Sequence, residues 1–232
     1  SKSPRSWRLL LPAMERKGGF VLAGSPGVWI AHFRDLGEQM AEAIEDAWPV
    51  CIKPLQSRKG AMTHEDHITV HLVKALRRSK KVPGRIEYQY SLQEEHADGY
   101  VTTPSSIDFV LTVGDDEEVY LAYECKRLNV IYGTRVRNYC GPYVDDGLMR
   151  FVSGQYAKGL PMATMIGYVM NGNNATARQG LRRVMKLRTV ALRLTAEQDR
   201  HSTAGRSTRF MSTHECGPGH NMHVEHHLLP WL

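Results

Sequence analysis

Two rhythms of apolar residues run along this chain. Leu36, Met40, Ala43, Ile44 and Ala47 recur at helical spacing and predict a helix over Asp35 to Trp48, ended by Pro49. Residues 49 to 62 read as a loop. Thr63 then opens a second helix as its N-cap, with Asp66 as the acidic partner of a capping box, running to about Ser79. Ile68, Leu72, Val73 and Leu76 form its apolar face. Period-two alternation follows at Ile86 to Glu95, Ser106 to Val113 and Val119 to Arg127, with a hairpin turn at Gly114 to Glu117 between the last two. A helix is predicted at Asp145 to Lys158 and a buried strand at Met162 to Met170. The turn Asn171 to Asn174 caps a basic helix, Ala175 to Arg188. Further strands are expected at Thr189 to Leu194, Thr208 to Ser212 and His226 to Leu229, with a mobile loop at Arg200 to Arg206. Before residue 30, glycines and prolines predict irregular chain with one short strand, Gly19 to Ala23.

The order helix, three strands, helix, strand predicts an α/β fold with a mixed central sheet flanked by helices on both faces. Residues 1–62 read as an N-terminal extension. Residues 63–232 read as the main domain, with a core over about 63–170 and a basic, histidine-rich C-terminal extension.

The strands carry charges where apolar residues would be expected. Asp108 lies in one apolar run. Glu124 and Lys126 lie two residues apart in the next and share a face. Burying three charges on a sheet costs several kcal/mol unless partners or a metal compensate. Two carboxylates beside a lysine suit metal-dependent phosphodiester hydrolysis. Asp108 and Glu124 would hold Mg²⁺, with Mn²⁺ as a substitute, and the Cys125 carbonyl would be a further ligand. Lys126 would orient or activate the attacking water, or neutralise transition-state charge. Glu65 lies on the buried side of the second helix at its start. It either favours the helix dipole there or reaches into a metal site.

Charge adds a partner. The net charge is +6, and the basic residues gather at Arg77 to Lys81 with Arg85, and at Arg178, Arg182, Arg183, Lys186 and Arg188. Each group is either a solvated helix face or part of a phosphate track. Arg127, next to the lysine, is either a phosphate contact or a surface residue at a strand end. The four cysteines, Cys51, Cys125, Cys140 and Cys216, form no C-x-x-C pair, which predicts reduced thiols. With no leader-like or membrane-spanning run, the expectation is a soluble, cytoplasmic protein.

Other constellations fit less well. His64-Glu-Asp-His67 is one spacer short of the zinc-protease H-E-x-x-H. His214, Cys216, His220, His223, His226 and His227 are potential zinc ligands, but their spacing matches no standard finger. The N-terminal glycines are not followed by the G-K-[ST] of a phosphate-binding loop.

Asp108, then fifteen residues, then Glu124-Cys-Lys126 resembles the signature of the PD-(D/E)XK, restriction-endonuclease-like nuclease superfamily. Ile107 stands where the signature's first letter has proline, and Pro104 lies nearby. The resemblance implies an αβββαβ core over about 63–170 and a Mg²⁺-dependent nuclease using Asp108, Glu124 and Lys126. It places Glu65 in the metal shell, and Gln155 and Tyr156 on a helix near the site. Gln155 would hydrogen-bond the water or a DNA phosphate. DNA is the implied substrate, and restriction, antiviral defence or DNA processing the implied role. Targeting would come from a homodimer, a protein partner or the N-terminal residues. The alternative on the same fold is a catalytically silent nucleic-acid-binding or assembly subunit.

Overall fold

A computed structural model describes residues 26–56, 64–95, 101–113, 119–202 and 207–231. The strand expected at Gly19 to Ala23, the Thr63 cap, the hairpin turn at Gly114 to Glu117 and most of the Arg200 to Arg206 loop lie outside them.

The first helix, α1 (Pro26–Gln56), starts earlier than expected and runs through Pro49 and Pro54. A proline inside a helix costs roughly 3 kcal/mol. Here Trp48, Cys51, Ile52 and Leu55 are buried, each large side chain worth about 1.5–3 kcal/mol. Pro54 is exposed and Pro49 half-buried, and the burial beside them outweighs the lost hydrogen bonds. Trp48 stacks on Tyr168 at 5.5 Å, and its Nε1 donates to the Pro230 carbonyl at 2.7 Å. The buried face of α1 thus belongs to the same core as the sheet, although it precedes residue 63.

The second helix, α2 (Glu65–Leu76), buries Ile68, Leu72, Val73 and Leu76 as predicted. Its N-cap is His64, which makes no side-chain cap bond, and it stops short of Ser79. Next come β1 (Arg85–Glu95), β2 (Val101–Thr112), β3 (Tyr120–Leu128), β4 (Val130–Tyr132) and β5 (Arg135–Arg137). The expected helix at Asp145 to Lys158 is instead a composite. Helix α3 (Cys140–Tyr143) passes through a π-helical turn, Val144–Leu148, into α4 (Met149–Val152). Gly154, Ala157 and Gly159, all at positive φ, turn the chain before it can continue as a helix. Strand β6 (Met162–Val169) and helix α5 (Asn174–Leu187) follow, and Asn173 caps α5 by accepting from the Thr176 amide at 3.0 Å. Residues expected as a strand form α6 (Thr189–Leu192), anchored by buried Leu192. Arg193 at φ 47 turns the chain into β7 (Leu194–Arg200). Strands β8 (Thr208–Gly217) and β9 (His220–Pro230) form the last hairpin, longer than predicted.

Seven strands form one mixed sheet in the order β1-β2-β3-β6-β9-β8-β7. The central pairs β3–β6 and β6–β9 are parallel, and the flanking pairs are antiparallel. Helices α1 and α2 cover one face, where the Thr69 and Tyr168 hydroxyls meet at 3.1 Å. Helices α3 to α5 cover the other. No helix among the described residues is long and apolar enough to cross a membrane.

The histidine-rich tail is built into this sheet. Among the described residues, no group of three or more His, Cys, Asp or Glu is placed to hold a metal. His214, His226 and His227 are buried in hydrogen bonds instead. His214 Nδ1 must donate to the Leu192 carbonyl at 2.8 Å, so its neutral Nε2 accepts from the Ser212 hydroxyl at 2.7 Å. His226 Nε2 must then donate to Ser212 Oγ at 2.7 Å, and its Nδ1 accepts from the Tyr143 hydroxyl at 2.9 Å. One arrangement of protons satisfies the whole chain. Burial pushes His226 well down and His214 to about 4. Between the ordinary value of 6.5 and about 4, the unfolded chain takes up protons that folded His214 refuses. Stability from this group therefore falls as pH drops through that window. The wild-type advantage over His214→Gln, read from urea midpoints, should shrink by about 2 kcal/mol from pH 6.5 to pH 4.

Candidate active site

The site lies where β2 and β3 part. Their ladder runs from Thr112↔Tyr120 to Phe109↔Tyr123, whose rings stack at 4.5 Å on the α1–α2 side. Asp108 and Glu124 come next, on the opposite face, and the ladder does not continue to them. The Cys125 amide, which β3 turns toward β2, donates to Asp108 Oδ2 at 2.6 Å instead of to a backbone carbonyl. The Ser106 carbonyl on β2 accepts from the Tyr156 hydroxyl at 2.7 Å. The Asp108 side chain thus takes the Cys125 amide, and the β2–β3 ladder stops there.

Glu124 is the centre of the cluster. Its side chain is 2 % exposed on a strand with neighbours on both sides. Its Oε1 accepts from Lys126 Nζ at 2.7 Å and from Arg150 Nη1 at 3.4 Å. Its Oε2 is buried without a hydrogen-bond partner. Lys126 Nζ also donates to Glu65 Oε1 at 3.2 Å and to the Cys125 carbonyl at 3.1 Å. Glu65, on the first turn of α2, accepts from the Arg127 amide through Oε2 at 2.7 Å, which ties the helix start to β3. Arg150 Nη1 further donates to the Tyr156 hydroxyl.

A close backbone approach makes this possible. Gly147, in the π-helical turn, lies directly over β3 and β6. A methyl there would fall 2.6 Å from Met165 Cε and 3.6 Å from Lys126 Cγ. The turn lowers the helix onto the sheet and delivers Arg150 to Glu124.

The charges do not balance. Three carboxylates, Asp108, Glu124 and Glu65, face two cations, Lys126 and Arg150. Burial, then the Glu124 charge, push Asp108 up to about 7, and Lys126 with the Cys125 amide offsets this only in part. Burial also raises Glu124 against the pull of Lys126. Burial alone would lower Lys126, but Glu124 and Glu65 outweigh it and hold the ammonium above its ordinary range. One Glu124 oxygen is left without a hydrogen-bond partner, but Asp108, Glu124 and Glu65 do not stand as a ready-made metal-binding group, because Lys126 bridges Glu124 and Glu65.

The structure thus brings together Asp108, Glu124, Lys126, Glu65 and the Cys125 carbonyl. Gln155 is placed otherwise: it is exposed, in the bend after α4, and joins none of these bonds. Its neighbour Tyr156 turns inward, because the chain bends at Gly154 and Ala157 rather than staying helical. Arg127 meets the cluster through its amide. Arg178 does not lie on a free basic face. It stacks on Phe210 at 3.7 Å and pairs with Glu197 and Asp199 of β7. Arg182 also reaches Glu197, at 3.3 Å, and Arg188 pairs with Asp145. Arg183 and Lys186 remain exposed on α5. In the first basic group, Arg77 donates to the Ile86 carbonyl, while Lys81 and Arg85 pair with Asp46 and Glu87. The counter-ion Arg150 carries no signal in local spacing, since only the π-helical turn aims it at Glu124.

No family model, curated protein or solved structure matches the chain.

Removing one charge at a time should have opposite effects. In chelator at neutral pH, Lys126→Met should cost about 3–5 kcal/mol, because Glu124 and Glu65 lose their shared partner. Asp108→Asn can keep the Cys125 bond and removes a repelled carboxylate, so it should leave stability unchanged or raised. Chemical denaturation of the two variants reads the signs directly.

Proposed function

We propose that the chain is a metal-dependent nuclease that hydrolyses DNA phosphodiester bonds, on a restriction-endonuclease-like core. The observation that carries this reading is the surplus of buried carboxylate at the β2–β3 parting, with the Glu124 Oε2 orphan and a lysine among the acids. The order α2, β1, β2, β3, α3–α4, β6 supports the αβββαβ assignment. A role in defence against invading DNA or in DNA processing goes with that assignment.

Asp108, Glu124 and Glu65, with the Cys125 carbonyl, would hold Mg²⁺ or Mn²⁺. When bound, the ion supplies positive charge that offsets the charge gained by the phosphate in the transition state and acidifies a water. The chain's own groups complete the arrangement. Released from part of its bridging, the Lys126 ammonium can donate to a phosphate oxygen or aim the water. Arg150 and Lys126 hold one Glu124 oxygen, which leaves the other without a partner. Tyr156 ties β2 to the segment after α4 through the Ser106 carbonyl.

The second reading is a DNA-binding or assembly subunit without chemistry. The Lys126 bridge between Glu65 and Glu124 favours it, since the lysine already neutralises part of the site.

Two measurements separate them. Mg²⁺ or Mn²⁺ should raise the wild-type melting temperature by ligand linkage and leave that of Glu124→Gln unchanged. Plasmid cleavage in Mg²⁺ should fall about 100-fold or more in Lys126→Ala and in Glu124→Ala, with DNA affinity in chelator retained. Duplex binding with no metal-induced stabilisation and no cleavage would establish the silent subunit. Undiminished cleavage by both variants would refute the assigned chemistry.

A further inference from the structure

Directly after β3 the chain leaves the sheet as a separate two-stranded ribbon, β4–β5. Its base is locked. Asn129, buried and at φ 49, donates its backbone amide to the Asn138 carbonyl at 3.2 Å. Its side-chain amide donates to Asn171 Oδ1 at 3.2 Å and Thr176 Oγ1 at 3.0 Å. Gly133, at φ 58, makes the tight turn at the tip. The ribbon is therefore held at its base and begins shortly after Lys126, at Val130.

Its two faces differ. The pairs Val130↔Arg137 and Tyr132↔Arg135 share one face, and Ile131↔Val136 the other. Arg135 and Arg137 are exposed, with the Arg137 guanidinium 5.6 Å from the Tyr132 ring centre. The Tyr132 hydroxyl lies 2.9 Å from that of Tyr139. Ile131 and Val136 are 50 % and 53 % exposed. From Cys125 to Val144 the sequence contains no Asp or Glu, but holds Lys126, Arg127, Arg135 and Arg137. Most other arginines near the sheet, among them Arg178, Arg182, Arg188, Arg200 and Arg209, are matched by acids. Among the described residues, Arg135 and Arg137 pair with none.

We propose that the β4–β5 ribbon is a duplex-DNA-binding element that enters the major groove and seats the backbone against the carboxylate cluster. It deepens the nuclease reading and rests on it. A two-stranded ribbon fits the major groove of B-form DNA, which is about 12 Å wide, and not the narrow one of duplex RNA. Arg135 and Arg137 contact phosphates with their planar forks, and the opposite, apolar face turns to the base edges. Ile131 and Val136 supply the small apolar surface that meets thymine methyl groups. Because the ribbon is held at its base and adjoins Lys126, the strand held by the arginines is the one presented to Glu124.

The test is the salt dependence of binding to a short labelled duplex, in chelator, by the full chain. Arg135→Ala with Arg137→Ala should weaken binding about tenfold or more and reduce the slope of log K against log salt by about two, as two phosphate contacts are lost. Arg135→Lys with Arg137→Lys should restore the slope. Arg183→Ala with Lys186→Ala, an equal charge loss on α5, should change it little. The melting temperature of each variant confirms that it is folded. Wild-type affinity and slope in the ribbon alanine variant would overturn the ribbon's role, while plasmid cleavage in Mg²⁺ would leave the nuclease reading standing. Equal losses from the ribbon and α5 variants would overturn it too, as would preference for single-stranded DNA or an acidic polypeptide over the duplex. A wild-type chain that neither binds nor cuts DNA would end both proposals.

Discussion

A carboxylate buried in the middle of a sheet sets the terms for everything around it. Glu124 cannot reach bulk water, so its charge must be met inside the protein or surrendered. Lys126 meets it from the same strand and Arg150 from the covering helix. Glu65 then compensates Lys126, and Asp108 adds a charge that nothing fully balances. Each neighbour is explicable as a response to the one before it.

The cost of such a cluster is not offset by apolar contact within it. It is borne by the surrounding core, where Ile68, Leu72, Phe109, Tyr123 and Tyr168 are almost wholly buried on the α1–α2 side. The two faces of the sheet are therefore unequal. One carries continuous apolar packing. The other loses the β2–β3 ladder beyond Phe109, where the Asp108 side chain takes the Cys125 amide, and lets a π-helical turn approach at Gly147. In the second half of the sheet, Tyr143, His226, Ser212 and His214 form a connected chain of hydrogen bonds. A second buried carboxylate stands there too: Glu225 on β9 is met by Arg209 and Arg200, and one of its oxygens has no hydrogen-bond partner.

Much of this was written locally. Alternation in β3 already put Glu124 and Lys126 on one face, because side-chain direction in a strand follows from parity alone, whereas the place of Asp108 beside them depended on the register of β2 against β3. The apolar face of α2 and the Asn173 cap were equally readable. What depended on distant packing was not. Pro49 is a stop signal until the partners of Ile52 and Leu55 are known. Asp145 to Lys158 has helical spacing, but the short approach to Met165 and Lys126 imposes a π-helical turn, and Gly154 and Ala157 end the helix before Gln155. Arg178 belongs to a basic run in sequence yet serves Glu197, Asp199 and Phe210 in space. The β4–β5 ribbon left a faint signal, a Gly133 turn between short alternating runs, too brief to stand out beside the long strands.

The position of β9 has a consequence for how the chain reaches this state. It lies between β6 and β8, with β6 parallel to it, so the sheet cannot be completed from its first strands alone. The Trp48 indole finds its acceptor on Pro230, 182 residues away. Contacts of such range impose a large loop-closure cost before they are rewarded, and they slow the search. During synthesis the apolar face of α1 and the open edge of β6 must wait for the last hairpin. The charged cluster at β2–β3, whose cost that core offsets, must wait with them.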